Sequence, residues 1–318
     1  MHVLAAPDKF RGTLSAREAA AAIAAGATRA GWTAVELPLA DGGEGTLAVL
    51  GGGNRRTTVT GPHGDPVEAE WRLEEDGTAI VEAALACGLS LAGGREGNDP
   101  LRATSRGVGE LVSAAIAEGA ARIVVAVGGV ASTDGGAAAV EALPTPLPVP
   151  LTVACDVTAR FFDAAEVFAP QKGATPEQVQ ILRDRLSRLD VPDVPGSGAA
   201  GGLAGGLAAV GGLLLSGFDL VADRLDLAEH LARADLVVTG EGRIDATSFT
   251  GKVVGRVLER ASASGVETLV VAGEVAPETP VRALSLVERY GPERALAEPA
   301  KCLTELVENA LATSRKGP

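Results

Sequence analysis

Thr239 to Lys252 holds two carboxylates, Glu241 and Asp245, and two cations, Arg243 and Lys252, among the glycines Gly240, Gly242 and Gly251. The apolar run Leu236–Val238 before it reads as a short buried strand, and Val253–Ala261 after it as a helix. Glycine lets a backbone approach a ligand with no side chain in the way. The segment therefore suits a phosphorylated ligand and its metal ion. Three more segments repeat the design: Asp8, Lys9 and Arg11 within Ala6–Thr13; Asp41, Gly42, Gly43 and Glu44 within Pro38–Thr46; and Gly128, Gly129, Ser132 and Asp134 within Gly128–Gly136. Each is expected at a strand-to-helix junction, where open α/β sheets place their ligands. Four such loops predict a shared cleft rather than four unrelated turns.

The elements that must position these loops can be read along the chain. Val3–Ala6 reads as a buried strand. Ser15 and Glu18 form a capping box that opens a helix over Ala16–Ala30. Val35–Pro38 is a second strand. Alternation broken by turn signals over Thr57–Ala83 predicts an antiparallel meander. Helices follow at Gly107–Glu118 and Ala137–Ala142, flanking a strand at Ile123–Val127. Pro144–Pro150 is an extended connection, and Leu151–Asp156 a strand ending in a carboxylate. Thr175-Pro176-Glu177 announces a helix over Gln178–Leu189. From Leu225 helix and strand alternate again, with strands at Leu236–Val238 and Thr268–Val271, then Leu284–Tyr290, and a last helix at Leu303–Leu311. The pattern predicts an α/β protein: one domain from residues 1–56 and 225–318, and a mixed α/β domain, 57–224, inserted into it.

Composition sets limits. A chain of 318 residues with 46% apolar but only 3% aromatic residues must build its core from Ala, Val and Leu, which favours closely packed helices on a parallel sheet. A net charge of −13 argues against nucleic acid or an anionic membrane as partner. Cys87, Cys155 and Cys302 are widely spaced, and with His2, His63 and His230 they form no zinc or triad spacing, so a reduced cytoplasmic setting is expected. Asp8 and Lys9 interrupt the N-terminus too early for a signal peptide. Val194–Phe218 is uncharged, but nine of its residues are glycine, so a membrane span is rejected. Lysine is used five times among 28 basic residues. Lys9, Lys172 and Lys252 lie in loops, where an ammonium suits a phosphate oxygen.

Two familiar nucleotide motifs fail. Gly196–Gly201 matches Gly-x-Gly-x-x-Gly, but the prolines of Val191–Pro195 rule out the strand that should precede it. Gly251-Lys252 is followed by Val253, and Ala246 stands where a P-loop needs glycine, so neither P-loop nor protein-kinase chemistry applies. Singly, Asp41, Asp134 and Asp156 read equally well as turn formers or helix caps.

As a set, the motifs resemble those of the bacterial glycerate kinases of the two-domain type that lacks a P-loop. The resemblance rests on Pro7–Gly12, Pro38–Thr46, Gly128–Gly136, Cys155–Val157, Pro170–Thr175, Gly198–Leu203 and Thr239–Asp245 with Gly251-Lys252, in family order over nearly the whole chain. It implies ATP-dependent phosphorylation of D-glycerate, usually to 2-phosphoglycerate. It also implies a flavodoxin-like parallel-sheet domain, an inserted domain with restriction-endonuclease-like topology, and a cleft between the two. This sequence departs from the family at Lys9 (usually serine), at Val254 (usually proline), in a shortened Leu143–Leu151 segment, and at Thr158–Glu166, which replaces a common loop.

On this reading ATP and Mg²⁺ are the cofactors. Asp134, Asp156 and Glu241 are metal candidates, with Asp41 beside them. Gly42, Gly43, Gly128, Gly129, Ser132, Gly240, Gly242 and Lys252 are expected to meet the nucleotide. Lys9 and Arg11 are expected on phosphate oxygens or the glycerate carboxylate, and Asp41 or Asp245 on the attacking hydroxyl. The remodelled stretch after Asp156 supports an alternative, a relative that binds without turnover or takes another hydroxy acid. A homodimer is among the expected oligomeric states.

Overall fold

The computed structural model describes residues 1–10, 12–249 and 251–314, residues 313 and 314 by backbone alone. Among them the strands are, in chain order, β1 (His2–Ala5), β2 (Thr33–Glu36), β3 (Arg55–Thr60), β4 (Pro66–Leu73), β5 (Thr78–Glu82), β6 (Arg122–Ala126), β7 (Leu151–Ala154), β8 (Leu213–Leu215), β9 (Leu236–Ile244), β10 (Glu267–Val275) and β11 (Ala283–Ser285). The chain forms two compact units, Met1–Ala40 with Val221–Pro318, and Asp41–Leu220. Both are mixed α/β.

The first unit is built on an all-parallel sheet, ordered β11-β10-β9-β1-β2. Counted within the unit this order is 2-1-3-4-5, and its direction reverses between β1 and β9, the switch point at which doubly wound sheets bind ligands. The helix Ala16–Arg29 begins with the expected capping box: the Ser15 hydroxyl accepts the Glu18 amide at 3.2 Å and the Glu18 carboxylate accepts the Ser15 amide at 2.8 Å. Its small residues let the helix Pro299–Ser314 press close, and the Thr304 hydroxyl donates to the Ala22 carbonyl at 3.0 Å. This is how an aromatic-poor chain reaches a packed core.

β9 differs most from its sequence reading; β10 also runs past the expected Val271 to Val275, and β8 lies where helix and loops were expected. β9 does not stop at Val238 but continues to Ile244, because β10 runs beside it as far as Val275. Gly240 and Gly242 therefore lie within a strand, not in a loop after one. A Cβ on Gly240 would stand 1.9 Å from the Val271 carbonyl oxygen, so close strand approach demands glycine there.

The second unit holds a six-stranded sheet, ordered β3-β4-β5-β6-β7-β8. The predicted meander appears as the antiparallel pairs β3–β4 and β4–β5, and β5 through β8 run parallel. Every residue of β5 is buried, as a central strand covered on both faces requires. Trp71 on β4 is fully buried and its indole donates to the Thr57 hydroxyl at 2.9 Å. The Gly196–Gly201 motif has no strand before it and forms turns. No helix among the described residues is long and apolar enough to cross a membrane.

Candidate functional site

In the second unit the chemistry-bearing residues gather past the carboxyl ends of β5, β6 and β7. Asp41 sits in a turn whose Gly43 amide donates to its carboxylate at 3.2 Å. The turn lies backbone against backbone on two other segments. A Cβ on Gly128 would meet the Gly43 Cα at 2.6 Å, and one on Gly217 would meet the Asp41 carbonyl oxygen at 2.3 Å. These approaches explain the glycines at Gly128 and Gly217 without a nucleotide.

Asp156, just after β7, receives the amides of Gly217 at 2.9 Å and Phe218 at 2.7 Å, one on each carboxylate oxygen. It thereby anchors the start of the helix Gly217–Arg224. Burial pushes its carboxyl up to about 6, against the hydrogen bonds from Ser216, Phe218 and Gly217, and the neighbouring Asp41 charge adds to the rise. The structure thus brings Asp41 and Asp156 together with Gly42, Gly43 and Gly128. Mg²⁺ commonly takes one or two carboxylates and completes its shell with phosphate and water, so Asp41 and Asp156 are the residues here that could hold it. Among the described residues no group of three or more His, Cys, Asp or Glu side chains is arranged to hold a metal alone.

Asp134 is differently employed. Its carboxylate accepts the Ser105 amide and hydroxyl, both at 2.8 Å, and the Gly136 amide at 3.2 Å, so it fixes the start of the helix Arg106–Ala117. Ser132 is fully buried, and its carbonyl accepts the Lys172 ammonium. Gly129, in contrast, is exposed. Lys172 is only 4% exposed, and burial lowers its pKa to about 8, against the pull of Cys87 and Asp134. The sequence placed this lysine in a phosphate loop; it serves the backbone. Burial likewise raises the Cys155 thiol to about 11, in keeping with a small core residue rather than a nucleophile.

In the first unit the groups lie at the switch point. Asp8 is 7% exposed, its amide donates to the Gly240 carbonyl at 2.9 Å, and its carboxylate accepts the Lys9 amide at 2.7 Å. The Lys9 ammonium is 3.9 Å from the same carboxylate. Arg11 lies outside the described residues. Glu241 is half-buried on β9, between Gly240 and Gly242. Asp245 follows β9, and its carboxylate accepts the Thr247 hydroxyl at 2.6 Å and amide at 2.8 Å. Those two bonds hold its carboxyl below the usual range, hydroxyl first, with help from the Lys252 charge. Lys252, the residue before the helix Val253–Ala263, donates to the Thr247 hydroxyl at 3.0 Å.

Sequence reasoning passed over one residue of this constellation. Glu82, at the end of β5, is 2% exposed, and its two oxygens accept the amides of Gly45 and Leu47, each at 2.9 Å. A carboxylate closing a run of β-strand residues, Thr78–Val81, was the available signal.

Comparison with known proteins gives a family for the chain. A family model described as the glycerate kinase family matches residues 3–148 and 144–315, two stretches that meet in the proline-rich connection before β7. The chain is 42% identical to an uncharacterized protein of Mycobacterium bovis, over 98% of this chain and 91% of that protein. It is 39% identical to the glycerate 2-kinase of Escherichia coli K12, over 80% of each chain. A crystal structure assigned as glycerate kinase 2 from Salmonella typhimurium LT2 superposes with a TM-score of 0.79 at 34% identity, covering 100% of this chain and 99% of that one.

Proposed function

The chain belongs to the glycerate kinase family, and from that premise we propose that it transfers the terminal phosphoryl group of ATP to a hydroxyl of D-glycerate, with 2-phosphoglycerate the favoured product. Membership makes it a phosphotransferase acting on glycerate; the donor, the position phosphorylated and the residue roles are our assignment. The observation that carries them is the Asp41–Asp156 pair past the ends of the parallel strands, where burial and crowding raise the Asp156 carboxyl.

Asp41 and Asp156 are assigned to Mg²⁺, which would neutralise the negative charge of the phosphoryl group in flight. Lys9 and Lys252 are assigned to phosphate oxygens or the glycerate carboxylate. Asp245 is assigned to the attacking hydroxyl. Phosphoryl transfer passes through a loose transition state, so the acceptor needs an ionised partner that orients it more than a strong base. Asp245 is such a partner, because Thr247 keeps its carboxyl ionised. The hydroxyl oxygen bonds to the terminal phosphorus, the bond to the bridging oxygen breaks, ADP leaves, and Asp245 accepts the hydroxyl proton. Asp134, which fixes the start of the helix Arg106–Ala117 through Ser105, is assigned a structural part.

A coupled assay for ADP with D-glycerate and ATP tests the reading, and phosphorus NMR of the product tells 2- from 3-phosphoglycerate. No ADP above a no-glycerate control would overturn it. The remodelled segment after Asp156 favours a second reading. Phe161 within it is fully buried, sunk into a cluster with Leu182 and Leu186. Calorimetry that finds nucleotide or glycerate binding without ADP formation would favour a non-catalytic relative.

A further inference from the structure

We propose that Glu82 is a positioning residue that sets the Asp41 carboxylate for its cation. The inference rests on the reading of Asp41 given above. Glu82 closes the fully buried strand β5 and is itself 2% exposed. Its oxygens accept the amides of Gly45 and Leu47, one each, both at 2.9 Å. Between those two amides stands Thr46, whose hydroxyl donates to the Gly43 carbonyl at 2.7 Å. The Gly43 amide in turn donates to the Asp41 carboxylate at 3.2 Å. Hydrogen bonds linked through the backbone of residues 43–47 thus join a rigid central strand to the proposed metal ligand.

The same bonds show what the loop does not do. The short helix Thr46–Val49 begins here, and a bound phosphate would look for just such free amides. Glu82 already occupies the Gly45 and Leu47 amides with its own carboxylate. Those two amides therefore belong to the mount of a carboxylate and are closed to a nucleotide phosphate.

Glu82→Gln tests this, because an amide accepts one N–H through its oxygen but presents its own N–H to the other. In the folded variant kcat should fall about 10- to 100-fold and the Mg²⁺ concentration for half-maximal activity should rise by a similar factor, as for residues that orient metal ligands. KM for D-glycerate should stay within about 2-fold, since binding of the acid is not the function removed. Hydrogen exchange should quicken at the Gly45 and Leu47 amides while β6 keeps its protection. A folded variant with unchanged Mg²⁺ dependence, or with unchanged exchange at those amides, would overturn the proposal. If Glu82→Gln does not fold, Thr46→Val decides: it breaks the link at the Gly43 carbonyl, and a normal Mg²⁺ dependence there refutes the link. Should the wild type make no ADP from D-glycerate, the activity arm falls with the proposed function. Exchange and calorimetric Mg²⁺ titration of the same variants then still judge Glu82.

Discussion

In the second unit buried and half-buried charges are spent on the backbone: Glu82 on the Gly45 and Leu47 amides, half-buried Asp156 on Gly217 and Phe218, Lys172 on the Ser132 carbonyl. In the first unit Asp245, Thr247 and Lys252 bond side chain to side chain on a partly exposed surface. The contrast matches two tasks. A pair of carboxylates repels itself unless rigid neighbours hold it together, so its supports must be buried and polar. Cations that follow a moving phosphate gain from long side chains with water nearby.

The comparison breaks first at Asp41. Asp41→Asn should lower kcat by ~10²-fold or more with the fold intact, as expected for loss of a group that stabilises transition-state charge. The coupled assay with circular dichroism checks it, and unchanged turnover removes Asp41 from the mechanism. Next comes Lys172. Its pKa is lowered in the folded state, from 10.5 to about 8. Between those values the unfolded chain binds more protons than the folded one, so this group makes stability rise with pH across that window. Against Lys172→Met, the wild type should gain about 3 kcal/mol from the bottom of that window to the top, one proton's difference being worth about 1.36 kcal/mol for each pH unit crossed. Denaturant titrations at several pH values measure the difference curve, and a flat curve would mean the ammonium is not held as described.

Gly240→Ala should cost about 1–3 kcal/mol, or more if β9 and β10 cannot part, because the added methyl overlaps the Val271 carbonyl. A thermal melt reads it; an unchanged midpoint would argue against the close strand approach. The smallest effect is expected at Thr247→Val, which frees Lys252 and returns the Asp245 carboxyl toward its ordinary pKa. A fall in kcat of about tenfold or less, with the acid limb of the pH profile moved upward, would mark Asp245 as the group that Thr247 tunes. An unmoved limb would assign that titration elsewhere.

Much of this was legible because local rules and tertiary packing agree. Ser15 and Glu18 announced their helix, and the turn signals between Thr60 and Thr78 announced the antiparallel strands. β9 was cut short because glycine and charge mark a loop to any local reading, whereas pairing with β10, beyond an intervening helix, keeps them in register. Lys172 looked like a phosphate ligand because spacing cannot reveal burial. Glu82 was hidden for a related reason: its partners, Gly45 and Leu47, are 37 and 35 residues away. The acidic turns themselves were visible, but which carboxylates face one another depends on sheet order, which no single segment encodes.

The three thiols carry a practical consequence. Cys87 and Cys302 are buried, and Cys155, half-buried, titrates near 11, so at neutral pH all remain protonated and sluggish toward alkylating reagents. Cys155 adjoins Asp156 in sequence, so the native chain carries its own chemical clock beside that carboxylate. The rate at which it takes up a label will report how often this corner of the fold opens, with no engineered probe required.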